Sequence, residues 1–260
     1  MYEGQSGVIA SLLDGLQASY TVALPEPGEP LRAILETFTK AHSAVNHAQA
    51  FIDLACELRP HVDLQQVREV VVHTNSAVHT IVGSGSNDPA KYDPDASRET
   101  LNHSLAYLVA VALEDGCLHH EHSYTYERAH RLETIDLWRR VHSVIDSSWD
   151  ALYRQALLDR PALGGRLEIH LNDGRVISGE KAVADAHTHG ARPMDHAGYV
   201  AKFRTLAGPV LASEVLEDFL SLAYGLPEAT PEALSRLNPP LPPGDSTPTN
   251  RTAEASSITD

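Results

Sequence analysis

Within TFTKAHSAVNHAQ, residues 37–49, Lys40, His42 and His47 crowd together on a chain that is otherwise acidic. A protonated lysine can pair with a carboxylate, and burial can lower its free pKa of about 10.4 until it serves as a base. Imidazole moves protons near neutrality. A second dense stretch is HSLAY, residues 103–107, where His103, Ser104 and Tyr107 offer a ring nitrogen, a hydroxyl and a phenol. Each group also has an ordinary reading. A lysine beside a helix start is commonly solvated, and a tyrosine on an apolar helix is commonly a core residue with its hydroxyl satisfied. HHEH, residues 119–122, tempts a metal reading through His119, His120 and His122. The segment follows a helix end, however, and no regular geometry converges its nitrogens, so no metal is expected. His187 and His189 in AHTHGARP are read likewise, as loop residues, with Arg192 a candidate for binding a carboxylate.

Elements must position these groups. Val8, Leu12 and Leu16 make one helical face, and LPEPGEP, residues 24–30, interrupts the pattern. Residues 31–40 fit either strand or helix, because Ile34, Glu36 and Phe38 alternate. Ser43 is expected to cap a helix running through Ala44, Ile52 and Leu58 to Pro60. VREVVVHT, residues 67–74, is rich in branched residues and predicts a buried strand. A second helix is expected from Ser97 to Gly116, with Leu101, Leu105, Leu108 and Ala112 toward the core. In that helix His103 and Tyr107, four apart, would project together from another face. RLEIHLNDGRVISGE, residues 166–180, predicts a hairpin turning at Asn172, Asp173 and Gly174, with His170 on its exposed side. Residues 196–238 predict two or three short helices, the last starting at Pro231, and the proline-rich stretch 239–260 predicts a disordered tail. Helices around a small sheet, without strict alternation, point to an α+β fold.

Composition narrows the partners. With 42% hydrophobic residues in 260, the chain can bury a substantial core. Thirty-five acidic side chains against twenty basic ones give a formal charge of −15 with no basic run, which argues against nucleic acid and anionic lipid. The longest apolar stretch, LAYLVAVAL at 105–113, falls short of the roughly 20 residues that cross a bilayer, and no leader opens the chain, so a cytoplasmic location is expected. Cys56 and Cys117 are too few to hold an iron-sulfur cluster alone.

Several ordered stretches carry a resemblance: YEGQSGVIASLLDG (2–15), LPEPGEPLRAILETFTKAHSA (24–44), SRETLNHSLAYLVAVALEDG (97–116), HHEHSYTYERAHRLETIDLW (119–138), NDGRVISGEKAVADAHTHGARP (172–193) and YVAKFRTLA (199–207). The sequence resembles the C-terminal part of the 2-methylcitrate dehydratases of the MmgE/PrpD family. The resemblance implies a large helical domain, a smaller α+β domain inserted in it, and an active site between the two. On this chain, residues 1–30 would end the helical part, 31–190 form the small domain, and 191–238 return to the helical part. It also implies that Lys40 and Tyr107 are catalytic, with His42, Ser43, His103, Ser104 and Arg192 around the substrate. VNH at 45–47 and Phe51 depart from the family's EYQ and proline, and His47 gains no support from it.

The implied reaction dehydrates 2-methylcitrate to 2-methylaconitate in propionate catabolism by protein acid–base chemistry, without a cofactor. A sibling activity, cis-aconitate decarboxylation or epimerisation, would use a similar cleft. Family members are about twice this length. The expectation is therefore an N-terminally truncated copy, or a remnant or split subunit that needs a partner helical domain; homodimers are the family's habit. The chemistry requires Lys40 and Tyr107 to meet across one pocket.

Overall fold

Val67, Val70, Val72 and Thr74 alternate with more exposed neighbours, so one side of the VREVVVHT strand meets the core and the other stays half-open. The computed structural model describes residues 26–29, 40–156 and 162–239. The chain divides into Met1–Thr37 and Phe38–Asp260, and every described helix and strand belongs to the second unit. The expected helix at 7–16, the ambiguous stretch 31–39 and the tail from 240 lie outside the described residues.

The first described helix is α1, Gln49–Leu58, entered through a tight turn at Asn46–Ala48. It leads to strand β1, Val67–Thr74, then to the short helix α2, Ser76–Ile81. Helices α3, Arg98–Leu101, and α4, Leu105–Asp115, follow, then α5, Tyr126–Ala129, and α6, Leu132–Arg139. Strand β2, Val141–Ile145, and helix α7, Ser147–Ala156, precede the hairpin of β3, Gly165–Leu171, and β4, Val176–Lys181. Helices α8, His196–Ala207, α9, Ser213–Tyr224, and α10, Pro231–Leu234, complete the described elements. The α+β expectation holds: the four strands form one mixed sheet in the order β2-β1-β3-β4. β1 runs parallel to β2 and antiparallel to β3, and β3 pairs antiparallel with β4.

The hairpin turns at Gly174, whose φ of +85° a side chain would resist. Leu167, Ile169 and Leu171 of β3 join Val70 and Val72 of β1 in a core covered by α1 and α4. The opposite face is polar. There Glu168 Oε2 lies 3.1 Å from His73 Nε2 and 3.3 Å from His170 Nε2, so His170 is half-buried and bonded rather than freely exposed. The difference arises because His73 stands one strand away on the same face.

Two helix expectations need correction. Ser43 caps nothing: α1 begins at Gln49, and its N-cap, Ala48, makes no side-chain bond. The helix expected from Ser97 to Gly116 is two helices. Ser97 caps α3 through the Thr100 amide, and Ser104 Oγ accepts from the Tyr107 amide at 3.2 Å to start α4 afresh. Gly116, at φ +69°, closes α4 in the left-handed conformation. Strand β2 was not foreseen. Among the described residues no helix is long and apolar enough to cross a membrane.

Candidate active site

Helix α1 presents two polar residues four apart on one face, Gln49 at 2% exposure and Asp53 at 7%. The Gln49 amide takes the place of a secondary-structure ladder for the preceding segment. Its Oε1 accepts from the His42 amide at 2.9 Å, while Nε2 donates to the carbonyls of His42, Ala44 and Val45 at 3.1, 3.2 and 3.4 Å. One side chain thus contacts four backbone groups, two of them, the His42 amide and the Ala44 carbonyl, without a backbone partner of their own, and holds residues 42–45 in a single shape. One turn on, Asp53 Oδ1 lies 2.9 Å from His42 Nε2. A carboxylate only accepts, so the proton sits on Nε2 and Nδ1 is left as the ring's basic atom.

Asp53 also reaches forward in sequence. Its Oδ2 accepts from the Asp185 amide at 2.8 Å, tying the loop after β4 to α1. The Asp185 carboxylate in turn accepts from Lys181 at 2.8 Å and Arg192 at 2.5 Å, and Lys181 makes a further 2.9 Å pair with Glu57. Burial pushes the Asp185 pKa up, but the bonds from Lys181 and Arg192 win and hold it below the ordinary carboxylate range. Burial likewise opposes the charged form of Lys181, and Asp185 and Glu57 overcome it, leaving that ammonium above its usual pKa. His42, Asp53, Cys56, Glu57, Lys181 and Arg192 line a cavity of about 640 Å³. Cys56 is no nucleophile there: burial first, then the Asp53 charge, push its thiol up to about 12.

The residues picked out by sequence separate into three groups. His42 and Arg192 share the cavity, although the Arg192 side chain is 79% exposed and already paired. Lys40 lies two residues before His42, exposed, and its carbonyl accepts from the ammonium of Lys202 on α8. Ser43 does not line the cavity, and its carbonyl accepts from Tyr124 Oη at 2.8 Å. His103 sits exposed in the break between α3 and α4, with Nδ1 2.9 Å from the Glu99 carbonyl. Beside it the Val45 amide donates to the Asn102 carbonyl at 3.1 Å, which docks the Lys40 segment on that break. His47 belongs to the same neighbourhood. Burial first and His103 second lower its pKa, and its buried Nδ1 has no hydrogen-bond partner.

Ser104 and Tyr107 form the third group, and the pairing of Lys40 with Tyr107 needs correction. Ser104 is 1% exposed and spends its hydroxyl on capping α4 and on the Lys91 carbonyl at 2.7 Å. Tyr107 has no exposed surface; its hydroxyl donates to the Ser123 carbonyl at 2.5 Å and its ring meets Trp138 edge-on at 4.9 Å. Desolvation pushes its pKa up to about 12. Tyr124 stands between, its ring 6.3 Å from Tyr107 and its hydroxyl on the Lys40 segment. The buried phenol is therefore a core residue and does not meet the exposed ammonium. His103 and Tyr107 part because the chain break rotates one out and the other in.

HHEH stacks instead of converging. The His119 ring lies 4.4 Å from His120 and 4.1 Å from His122, and among the described residues no group of three or more histidines, cysteines or acids is set to hold a metal ion.

The model of the MmgE/PrpD C-terminal domain matches residues 42–222. This chain belongs to the MmgE/PrpD family. A hydro-lyase-like or related lyase activity is the chemistry that goes with MmgE/PrpD membership. The matched span begins at His42 and contains Asp53, Lys181, Asp185, Arg192 and Lys202. Gln49, Asp53, Tyr124, Lys181, Asp185 and Lys202 went unnoticed in the sequence. Only Gln49 and Asp53 left a local signal, polar residues that recur with Glu57 every four positions in an otherwise apolar helix.

Proposed function

We propose that the chain contributes the acid–base and carboxylate-binding groups of a hydro-lyase that dehydrates a small tricarboxylate, 2-methylcitrate, to 2-methylaconitate without a cofactor. The observation that carries this reading is the His42–Asp53 pair at a charged cavity, two residues from Lys40. The reaction takes a proton from the carbon α to a carboxylate and expels a tertiary hydroxyl. His42 accepts that proton at Nδ1, and Asp53 stabilises the imidazolium through Nε2–H. The electron pair of the broken C–H bond forms the double bond, and the hydroxide leaves with the proton from His42 as water. Lys40 holds a substrate carboxylate by charge-assisted hydrogen bonds.

Lys40 and His103 are exposed, so the opposite wall comes from a helical domain or a second copy of the chain in a homodimer. A non-catalytic subunit is the competing reading, favoured by the prior pairing of Lys181 and Arg192 with acids. The deciding assay follows the ultraviolet absorbance of the unsaturated product from 2-methylcitrate. It is run with the chain alone and with the helical domain of a full-length family member added. Turnover that His42→Ala abolishes supports the hydro-lyase. No turnover in either mixture defeats it in favour of the non-catalytic role, and turnover indifferent to His42→Ala defeats the assignment of His42 as the base.

A further inference from the structure

Lys202 reaches the Lys40 segment, beside the cavity that His42 lines, from α8, 162 residues further along the chain, and its ammonium donates to the Lys40 carbonyl. That carbonyl belongs to the segment leading into the stretch pinned by Gln49, so Lys202 is placed with respect to His42 rather than left on a free surface. Neither Lys40 nor Lys202 pairs with an acidic side chain among the described residues. Lys181, Arg192 and Arg204 all do. Lys91 also lacks an ion pair, its ammonium donating to the Ile81 carbonyl, but Lys40 and Lys202 are two such lysines side by side, an arrangement in which like charges meet at a cost. The cost is visible at Lys202, where burial first and the Lys40 charge second hold the pKa below the ordinary lysine range.

An ammonium group has three donors, and one backbone carbonyl uses one of them. The remaining donors, beside those of Lys40, suit an anion with more than one acceptor group. The cavity next door lacks that excess, since Asp185 and Glu57 already neutralise its cations.

We infer that Lys202 is a second carboxylate-binding residue of this site, acting with Lys40 to select substrates that carry two or more carboxylates. The inference rests on the polycarboxylate reading above and adds to it the residue that sets the number of charges recognised. Helix α8 thereby acquires a part in specificity, because the position of Lys202 depends on where that helix packs.

The test is isothermal titration of the 260-residue chain with tricarballylate, which carries three carboxylates and no hydroxyl to lose. Acetate serves as the single-charge control. Wild type, Lys40→Met, Lys202→Met and Lys202→Arg are compared, each with a thermal melt. The expected result is that Lys202→Met weakens tricarballylate binding about tenfold, or about 1.4 kcal/mol, that Lys202→Arg retains most of it, and that acetate binds none of the proteins measurably. Unchanged binding in Lys202→Met, with Lys40→Met weakened, overturns this inference alone. A wild type that binds no tricarballylate, or for which both lysines are immaterial, overturns the polycarboxylate reading with it. Equal loss in Lys202→Met and Lys202→Arg, with equally lowered melting temperatures, shows Lys202 to be a packing residue and also overturns it.

Discussion

His42 and Asp185 hang on the two oxygens of one carboxylate, and their roles differ because of what else each touches. His42 keeps a free ring nitrogen, so replacing it removes a proton carrier; His42→Ala is expected to lower the turnover of 2-methylcitrate by about 100-fold or more. Asp53→Asn keeps the shape but offers an amide to Nε2, favouring the tautomer whose proton sits on Nδ1. It should lower turnover while leaving substrate affinity within a few-fold, a split that steady-state kinetics resolves. Asp185 is occupied on every side and acts through stability. Its folded pKa lies below its unfolded value, so its contribution is present above the ordinary carboxylate pKa of about 3.9 and is lost as pH falls through the folded value. In thermal melts from about pH 7 down to about pH 2, Asp185→Asn should melt below wild type at neutral pH and converge with it in acid. A constant gap across that range would show that the ion pairs with Lys181 and Arg192 do not carry the effect.

Among elements, the segment 42–45 stands out because it has no regular structure and yet carries chemistry. Gln49→Leu keeps the side-chain volume but strands the His42 amide and the Ala44 carbonyl, the carbonyls of His42 and Val45 keeping the Ala44 and Ala48 amides, at about 1–3 kcal/mol. Chemical denaturation measures that cost, and faster hydrogen exchange at the His42 amide locates it; unchanged exchange would mean water replaces the amide without loosening the segment. The elements legible in the sequence were those with local causes: β1 from its branched residues, the β3–β4 hairpin from alternation and Gly174, α10 from Pro231. The break between α3 and α4 was hidden because Leu101, Leu105 and Leu108 keep helical spacing across it, all three buried. Strand β2 was hidden because VHSVI is five residues long, lies between helices and becomes a strand only by pairing with β1. The site was legible only in part for the same reason. Lys40 and His42 sit close in sequence, but Asp53, Asp185 and Lys202 are brought in by contacts over 11, 132 and 162 residues.

At the scale of the molecule, the described C-terminal helices differ from the sheet and its covering helices in how little they bury. The sheet and its covering helices bury a continuous core, whereas α8 buries none of its residues and α9 buries Leu216 and Leu220. Phe203 and Phe219 stack at 4.8 Å to hold α8 and α9 together, but Leu206, Val210, Tyr224, Leu226 and Leu234 are each at least 40% exposed. Apolar surface of this kind favours association, while a formal charge of −15 opposes it. The two forces respond oppositely to salt, since screening shortens the range of repulsion to about 8–10 Å near physiological ionic strength and leaves apolar contact intact. Sedimentation velocity should therefore show association that rises with protein concentration and strengthens as salt is added, and the double substitution Leu206→Glu with Val210→Glu should abolish it without changing the far-ultraviolet dichroism. Association that weakens with salt would assign the interface to ion pairs instead, and a monomer at every concentration would mean that the apolar end is too dispersed to bind. Because Lys202 stands on α8, a cover over this end would also steady the second ammonium of the site, so tricarballylate affinity should rise with the associated fraction.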